Sequence, residues 1–509
     1  MENCPLVNIF CLQGFDLSMR EKVLCYLDNI QTASQERNRQ SLPGVGRNHF
    51  HKNYQRTVMM NQVLSDFLAL PEPNFQWTVL AEEQLEGQVK AVQLELTSLT
   101  WPKGETSDVN HQQWQHRLHL YLPAKDNHQP CLLMINSGTR HDLSMETTPH
   151  SQVDSAALCR LTGAPVASLK DIPNQPISFA DGKPRSEDDL VAWSWKQFLE
   201  NPEANRFYPL QWPMVKAVVK AMDVIEAFTD TQNIEVNDFI LSGGSKRGWV
   251  SWLTASADFR VSSVIPIVID VLNIEACIRH HHNVYNGWSP AIKDYADEDH
   301  NILEALESET TQQLLELIDP FHYKEFLQLP KFVINASGDE FFPPDSARFY
   351  YHQLSQPKWL RYLPNCSHYL GREANINTTE LMASAYGVLL ADSAPVMSWQ
   401  PLDDGGIELR LSEEPEQACV WFCHNPEARD FRSDELKQQG LRFNSKPLKP
   451  VSTSPWVYRF LPEPADKGWT AFFIEASFDN PPFPDLKLTS GIRVLPDIYQ
   501  LSVNDQTRG

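Results

Sequence analysis

At residues 239–249 the chain reads Phe239-Ile240-Leu241-Ser242-Gly243-Gly244-Ser245-Lys246-Arg247-Gly248-Trp249, an apolar run that ends in glycines around one serine before helical periodicity begins. This pattern is typical of a nucleophile elbow, a strained strand-to-helix turn whose flanking residues must be small. Gly243 and Gly248 provide small residues. The common spacing is G-x-S-x-G, but here Arg247 stands at the second glycine position and Gly248 follows it. The stretch therefore predicts a nucleophile only if a base and an acid follow it in the right order.

A glycine-rich turn between a strand and a helix also occurs in phosphate-binding proteins. A Walker loop ends in Gly-Lys-Ser/Thr, and a dinucleotide fingerprint needs G-x-G-x-x-G with an acidic residue about 20 positions later. Neither pattern surrounds Ser245. A serine nucleophile and a structural glycine turn remain as the two interpretations of this stretch.

The bulk composition limits the function. The 509 residues, 42% of them hydrophobic, are enough for about three domains. The 65 acidic and 43 basic residues give a net charge of -22, which would repel nucleic acid. No apolar run has the length of a membrane span. The N-terminus lacks the basic region of a secretory signal, so we expect a cytoplasmic protein, with secretion by a non-classical route as the alternative. Oligomeric state is not indicated.

The pattern along the chain predicts three units. Residues 1–70 resemble a polar helical extension. Residues 71–398 begin with antiparallel-type strands and continue with strands that alternate with helices, which is typical of an α/β domain with a mostly parallel sheet. An insertion at about 271–329, rich in helix formers and aromatic residues, is placed to form a cap. Residues 399–509 contain short strands and proline-rich turns and predict a small β-sandwich.

An acid and a base follow Ser245 in the order Ser, Asp, His that α/β-hydrolases use. Asp339 comes directly after one predicted strand, and His368 comes after the next. Taken singly, each has a simpler explanation as a turn residue, a helix cap or a surface histidine. Their joint occurrence predicts a Ser245-His368-Asp339 triad, with Glu340 and Asp345 as substitutes for the acid.

The residues that would stabilise an oxyanion can also be predicted. The backbone N–H of Lys246 follows the nucleophile directly, and a second donor should come from Gly138 or Thr139 in the loop after an early strand. The charges of Lys246 and Arg247 could stabilise the oxyanion or hold a substrate carboxylate. For Arg247, a solvated position on the first helical turn is the competing interpretation.

Two groups of residues resemble metal-binding motifs, but neither predicts a metal site. His280, His281 and His282 are consecutive, so on a helix they point in different directions, unlike the i, i+4 pair of a zinc site. The spacing of Cys419 and Cys423 fits a buried strand. We therefore predict no metal and no cofactor, and we expect the nearby aromatic residues Trp288 and Tyr295 to line the substrate pocket.

Several stretches resemble the PhoPQ-activated pathogenicity-related protein family. They are Leu96–Trp101, Ile172–Pro176, Asp181–Leu190, Gly244–Trp249, Trp288–Tyr295 and Gly338–Phe342. The resemblance implies an α/β-hydrolase with Ser245, Asp339 and His368 as its triad. The Ser-Lys-Arg-Gly elbow is also similar to that of glucuronoyl esterases, which implies that Lys246 assists the oxyanion. One position differs, because Gly244 stands where the family tends to have alanine.

Three hypotheses about function follow. The first is a serine hydrolase that cleaves a carboxylic ester of a small molecule. The second is a serine peptidase of the prolyl or dipeptidyl kind, which would need a carboxylate anchor such as Glu187-Asp188-Asp189 for the amine of a peptide substrate. The third is a binding or signalling protein that retains the fold without activity.

Overall fold

The computed structural model describes residues 62–103, 109–125, 127–139, 153–296, 302–370, 376–391 and 394–499. These residues all fall within one compact unit, Thr57–Gly509. Most of the predicted N-terminal extension lies outside the described residues. Its last part, residues 62–69, forms helix α1, which buries Leu64 and Phe67.

The first part of the described chain builds one large sheet and a small separate hairpin, β6–β7. Its strands are Gln76–Gln84 (β1), Lys90–Thr100 (β2), Gln113–Leu122 (β3), Cys131–Ile135 (β4), Val166–Leu169 (β5), Ile177–Ser178 (β6), Pro184–Arg185 (β7), Phe239–Gly244 (β8), Val261–Ile267 (β9), Lys331–Ala336 (β10) and Lys358–Leu363 (β11).

Helices connect these strands. After α1 they are Ser155–Thr162 (α2), Glu187–Glu200 (α3), Gln211–Thr231 (α4), Lys246–Ala257 (α5), Ile274–Tyr285 (α6), Ile302–Ala305 (α7), Glu309–Ile318 (α8), Thr378–Leu390 (α9) and Ser433–Gln438 (α10). Short 3-10 turns occur at Glu86–Gln88, Pro290–Ile292, Pro320–Tyr323, Ser346–Phe349 and Tyr351–Gln353. None of the described helices combines the length and apolar character needed to cross a bilayer.

The strand order of the large sheet is β1-β2-β3-β5-β4-β8-β9-β10-β11. The first three strands pair antiparallel, and β3 also runs antiparallel to β5, whereas the six strands from β5 to β11 are parallel. Strand β10 is buried along its whole length, as expected for a parallel strand covered on both faces. The carboxyl ends of β8, β10 and β11 therefore share one edge of the sheet, and each leads toward a predicted site residue.

The C-terminal part forms two antiparallel sheets that pack face to face, with Phe460 in contact with Phe422 and Phe472 across the interface (ring centroids 6.3 and 5.4 Å apart). Their strands are Met397–Pro401 (β12), Ile407–Leu411 (β13), Gln417–Asn425 (β14), Asn444–Pro447 (β15), Ser452–Thr453 (β16), Trp456–Phe460 (β17), Trp469–Phe478 (β18), Leu486–Thr489 (β19) and Arg493–Leu495 (β20).

This architecture, a mainly parallel α/β sheet followed by a C-terminal pair of antiparallel sheets, agrees with the fold class that the sequence predicted. The insertion between β9 and β10 contains helices α6, α7 and α8, which agrees with the predicted helical insertion. The sandwich contacts the large sheet directly, since the Tyr362 N–H donates to Thr489 Oγ1 at 2.8 Å and Arg361 pairs with Glu475.

Candidate active site

Ser245 occupies the turn between β8 and α5. Its backbone has φ 55° and ψ -129°, a left-handed conformation that is strained for any residue other than glycine. Its N–H donates to the carbonyl of Ile267 at 2.8 Å, which ties the turn to the end of β9. The neighbouring structure thus holds the serine at the carboxyl edge of the sheet in the conformation expected of a nucleophile elbow.

Close packing of the helix against the strand explains the unusual glycine spacing. A Cβ atom on Gly243 would lie 2.6 Å from the backbone carbon of Arg247, and one on Gly248 would lie 2.7 Å from the carbonyl oxygen of Gly243. Both positions therefore exclude a side chain. A Cβ on Gly244 would have no atom within 4 Å, so the alanine that similar proteins tend to carry there would fit.

Asp339 and His368 form a buried pair on the neighbouring loops. His368 Nδ1 lies 2.8 Å from Asp339 Oδ2, and the two side chains are 5% and 4% exposed. Asp339 Oδ1 also accepts the backbone N–H groups of Phe341 at 2.7 Å and Phe342 at 3.3 Å. These bonds leave His368 Nδ1 as the donor to Asp339 and Nε2 as the nitrogen that can accept a proton.

The two substitute acids have other partners. Glu340 Oε2 accepts the backbone N–H of His368 at 2.9 Å, and burial raises the pKa of this carboxyl. Asp345 binds His280 and Arg429 in a separate buried cluster. Among the three candidate acids, Asp339 is the one that contacts the His368 ring.

Ser245 and His368 border the same cavity, which has a volume of about 290 Å³. No hydrogen bond joins their side chains within the described part of the chain, and such bonds are often long in ligand-free sites and shorten when substrate binds. The cavity has an apolar side and a polar side. Its apolar lining includes Met134, Ile135, Val153, Val268, Phe341, Leu370, Leu381 and Met382.

The polar side is a charge-compensated wall made by Glu187, Asp188, Lys246 and Arg247, all of which border the cavity. Lys246 Nζ lies 2.8 Å from Glu187 and 3.1 Å from Asp188, and Arg247 Nη2 lies 2.5 Å from Glu187. Burial by itself would raise the pKa of Glu187, but the charges of Arg247 and Lys246 hold it well below its usual value. Two carboxylates and two cations thus neutralise each other beside Ser245.

Arg247 borders the cavity and does not fit the competing interpretation of a solvated residue. It is buried, and its Nε donates to the carbonyl of Ile172 at 2.7 Å in addition to its pair with Glu187. It is therefore not a solvated residue. A substrate carboxylate that bound it would share the guanidinium with Glu187.

The loop after β4 approaches the cavity with Asn136 and Ser137. The predicted residues Gly138 and Thr139 do not border it. Gly138 is buried where a Cβ would lie 2.2 Å from Asp171 Oδ1, and Thr139 is exposed. Lys246 is the first residue of α5, so its backbone N–H lacks an acceptor within the helix and can serve a ligand.

The predicted aromatic lining lies away from the cavity. Trp288 packs against His281 and His282, with ring centroids 5.9 and 4.8 Å apart. The Tyr295 hydroxyl donates to Asp188 at 2.6 Å and so reaches the cavity only through that carboxylate. None of the described residues of the insertion at 271–329 borders the cavity.

The three consecutive histidines point to three different surroundings. His280 binds Asp345, and His282 packs on Trp288. His281 Nδ1 donates to the Phe341 carbonyl at 3.1 Å, its Nε2 accepts the Ser289 N–H at 3.1 Å, and burial lowers its pKa to about 3. No cluster suited to a metal ion occurs within the described residues.

Two parts of the site were not predicted from sequence. Phe341 packs against the His368 ring with centroids 4.3 Å apart. Glu187 and Asp188, considered only as a peptide anchor, pair with the cations of the elbow. The Asp181–Leu190 and Gly338–Phe342 motifs contained these residues, but the motifs did not indicate their partners.

Comparisons with known proteins identify the family of this chain. A model of the PhoPQ-activated pathogenicity-related protein family matches residues 64–432. Autocrine proliferation repressor protein A of Dictyostelium discoideum is 31% identical over 461 residues, which cover 85% of this chain and 90% of that protein.

Solved structures with a similar fold are more distant. Acetyl xylan esterase 1 from Thermoanaerobacterium is 13% identical with a TM-score of 0.43, covering 66% of this chain and 94% of its own. The glucuronoyl esterase from Solibacter usitatus is 15% identical with a TM-score of 0.34, covering 61% of this chain and 87% of its own. Given the family match and the identity to its relative, the chain belongs to the PhoPQ-activated pathogenicity-related protein family.

Proposed function

We propose that this protein is a serine hydrolase that cleaves a carboxylic ester, with Ser245 as nucleophile, His368 as general base and Asp339 as the acid that orients it. One observation carries the proposal: His368, paired with the buried Asp339, borders the same cavity as a serine in the strained elbow conformation. Serine is inert until a base removes its proton, and the base needs a carboxylate to fix its tautomer.

The reaction would proceed in two halves. The Ser245 oxygen attacks the ester carbonyl while His368 Nε2 takes the hydroxyl proton, and the C=O electron pair moves onto oxygen to form a tetrahedral oxyanion. As the oxyanion collapses, the C–O bond to the alcohol breaks, and His368 gives its proton to the departing oxygen. Water then repeats the sequence on the acyl-enzyme, which releases the acid and restores Ser245.

The oxyanion needs hydrogen-bond donors at the point where its charge develops. The backbone N–H of Lys246 is the first donor in this proposal, and the loop after β4, which reaches the cavity with Asn136 and Ser137 and not with the predicted Gly138 and Thr139, supplies the second. Each such donor lowers the barrier by about 3–4 kcal/mol. The Lys246 side chain, held by Glu187 and Asp188, adds a positive charge close to the same point.

The charge-compensated wall favours an ester over a peptide substrate. A dipeptidyl-type peptidase needs carboxylates that are available to bind the substrate ammonium group. Glu187 and Asp188 border the cavity, but both bind Lys246, and Glu187 binds Arg247 as well. An ammonium group would add a third positive charge to two carboxylates that Lys246 and Arg247 already neutralise, whereas the hydroxyl groups of an alcohol could bind beside them without adding charge.

A fluorophosphonate probe tests the proposal without knowledge of the natural substrate. We expect the wild-type protein to be labelled at Ser245, and we expect Ser245→Ala and His368→Ala to show no labelling above background. An unlabelled wild type, or continued labelling of Ser245→Ala, would contradict the triad and favour a binding or signalling role on this fold. Acetyl and methyl esters compared with dipeptide amides then separate an esterase from a peptidase.

A further inference from the structure

Residues 429–443, called here the brace segment, lead out of β14 toward β15 and contain α10. This segment belongs to the C-terminal β-sandwich in sequence but lies against the loops that carry Asp339 and His368. Three sets of contacts connect it to those loops, and each involves buried or backbone groups. They suggest a role for the C-terminal part in the site itself.

The first contact reaches the acid loop. The backbone N–H of Ser433 donates to the carbonyl of Gly338, the residue directly before Asp339, at 2.9 Å. A Cβ on Gly338 would lie 3.1 Å from both the nitrogen and the Cβ of Ser433, so glycine permits the close approach. The Gly338 N–H in turn donates to the carbonyl of Cys366 at 2.9 Å, which joins the acid loop to the histidine loop.

The second contact reaches the histidine loop. Asn365 Nδ2 donates to the Phe443 carbonyl at 3.0 Å, and the Phe443 N–H donates back to Asn365 Oδ1 at 2.8 Å. Asn365 has φ 59°, a left-handed conformation that asparagine tolerates better than most residues. This reciprocal pair fixes the turn three residues before His368.

The third contact anchors the segment. Arg429, 1% exposed, binds Asp345 with Nη2 2.7 Å from Oδ2. Asp345 follows Asp339 on the same loop. The brace segment is therefore held at three points. Two of them, Asp345 and Gly338, are on the loop of Asp339, and the third, Asn365, is on the loop of His368.

We propose that the brace segment positions Asp339 and His368 for catalysis, with Ser433 and Asn365 as positioning residues. The inference rests on the proposed function for its catalytic meaning. Independently of catalysis, we expect the 2.8 Å Asp339–His368 bond to depend on contacts from residues 429–443. A displacement of about 1 Å in either loop would misalign the imidazole and slow proton transfer.

Two substitutions break these contacts: Ser433→Pro removes the first and its CH₂ group also pushes away the Gly338 carbonyl that lies 2.9 Å from the nitrogen, and Asn365→Gly removes both bonds of the second. Ser433→Pro replaces the N–H donor by a CH₂ group at the first position of α10, where a helix accepts proline, and Arg432 before it already has the extended φ -59°, ψ 139° that proline favours. Ser433→Ala keeps the donor and is its control. Asn365→Gly removes both side-chain bonds and keeps the left-handed backbone.

Fluorophosphonate labelling of Ser245, measured against pH, provides the catalytic readout. We expect Ser433→Pro and Asn365→Gly to label about 10- to 100-fold more slowly than wild type, and the pH midpoint of labelling to move down because a misaligned Asp339 stabilises the imidazolium less. Ser433→Ala should label like wild type. Ile407→Ala, which opens a cavity in β13 away from both loops, should lower the melting temperature without moving the pH midpoint.

Hydrogen exchange provides a second readout that does not depend on activity. In Ser433→Pro and Asn365→Gly, the Phe341 and Phe342 amides that bind Asp339 should exchange faster, whereas Ile407→Ala should leave them protected. Wild-type labelling and exchange rates in both variants would overturn the inference. A wild type that is not labelled would instead contradict the proposed function, and the exchange measurement would still decide whether the segment holds the loops.

Discussion

The described part of the chain contains two buried histidine–aspartate pairs whose acids lie six residues apart on one loop. His368 Nδ1 lies 2.8 Å from Asp339, and His280 Nε2 lies 2.9 Å from Asp345. The pairs differ in the second ring nitrogen: His280 Nδ1 is bound to the Tyr499 hydroxyl at 3.1 Å, whereas His368 Nε2 has no hydrogen-bond partner within the described residues.

The surroundings of the two acids differ as well. Asp345 is bound by Arg429 and Arg348, and Asp339 is bound by backbone N–H groups. Burial alone would raise the pKa of Asp345, but Arg429 and His280 hold it well below its usual range. A histidine–aspartate pair can act as a base only when one ring nitrogen remains available beside a cavity. The pair at His280 therefore stabilises the structure, and the pair at His368 is suited to chemistry.

Replacing each histidine tests this comparison most directly. We expect His368→Ala to lower turnover and fluorophosphonate labelling about 10⁴-fold or more, because Ser245 loses its base. His280→Ala should keep labelling within about threefold of wild type and lower the melting temperature through the cavity it leaves. An equal loss of labelling in both variants, while both remain folded, would contradict this assignment of the two pairs.

Replacing each acid by its amide separates chemistry from stability. Asp339→Asn should lower turnover about 10⁴-fold, because the amide favours the wrong imidazole tautomer. Asp345→Asn should lower the free energy of unfolding by about 3–5 kcal/mol, because Arg429 becomes a buried cation without its full counter-charge. Urea unfolding together with labelling rates measures both effects. An Asp345→Asn protein as inactive as Asp339→Asn but fully stable would contradict the assignment.

A third buried carboxylate, Asp270, shows what happens without a cation. It accepts the Tyr350 hydroxyl at 2.6 Å and the Tyr362 hydroxyl, and burial raises its pKa to about 7. Between the pKa of this aspartate in the unfolded chain and pH 7, the folded protein keeps a proton on Asp270 that the unfolded chain releases. The stability that this residue contributes therefore falls as the pH rises.

We expect this contribution to the free energy of unfolding to fall by about 2–3 kcal/mol between pH 5 and pH 8. Asp270→Asn should remove that part of the pH dependence. Asp345→Asn should keep it, because the carboxyl of Asp345 is ionised over this whole pH range. Urea unfolding at several pH values compares the slopes. Identical slopes in wild type and Asp270→Asn would show that Asp270 is ionised in the folded protein.

The smallest expected effect concerns the ring that packs on the active histidine. Phe341→Leu should slow labelling by about 2- to 10-fold, in line with the 0.5–1.5 kcal/mol of an aromatic contact. Phe342, whose ring lies 6.0 Å from His368 and does not border the cavity, is the matched control. Equal effects of Phe341→Leu and Phe342→Leu would indicate that the whole loop moves and that stacking is unimportant.

The features that depend on short-range patterns could be predicted from the sequence. The continuous apolar strands β8 and β10 end directly before the serine turn and shortly before Asp339, and their parallel arrangement brings these ends to one edge. The fold, the helical insertion and the sandwich were all confirmed. Asp339 could be favoured over Asp345 by its position after a strand.

Partners that are distant in sequence could not be predicted. Arg429 lies 84 residues from Asp345, and Glu187 lies 59 residues from Lys246, so no local pattern indicates either pair. Trp288 and Tyr295 were expected to line the pocket because they are aromatic and lie in the insertion. Trp288 packs on His281 within the insertion and Tyr295 binds Asp188 outside it, and periodicity reveals neither contact.

The position of the brace segment also has a consequence for synthesis of the chain. Ser245, Asp339 and His368 all leave the ribosome before residues 429–443, so a nascent chain carries the whole proposed triad before it carries the contacts that hold Asp339 and His368. Since domains form as the chain emerges, we expect the large sheet to assemble first and activity to appear only after the sandwich has docked. A hydrolase built in this way would remain inactive during its own translation.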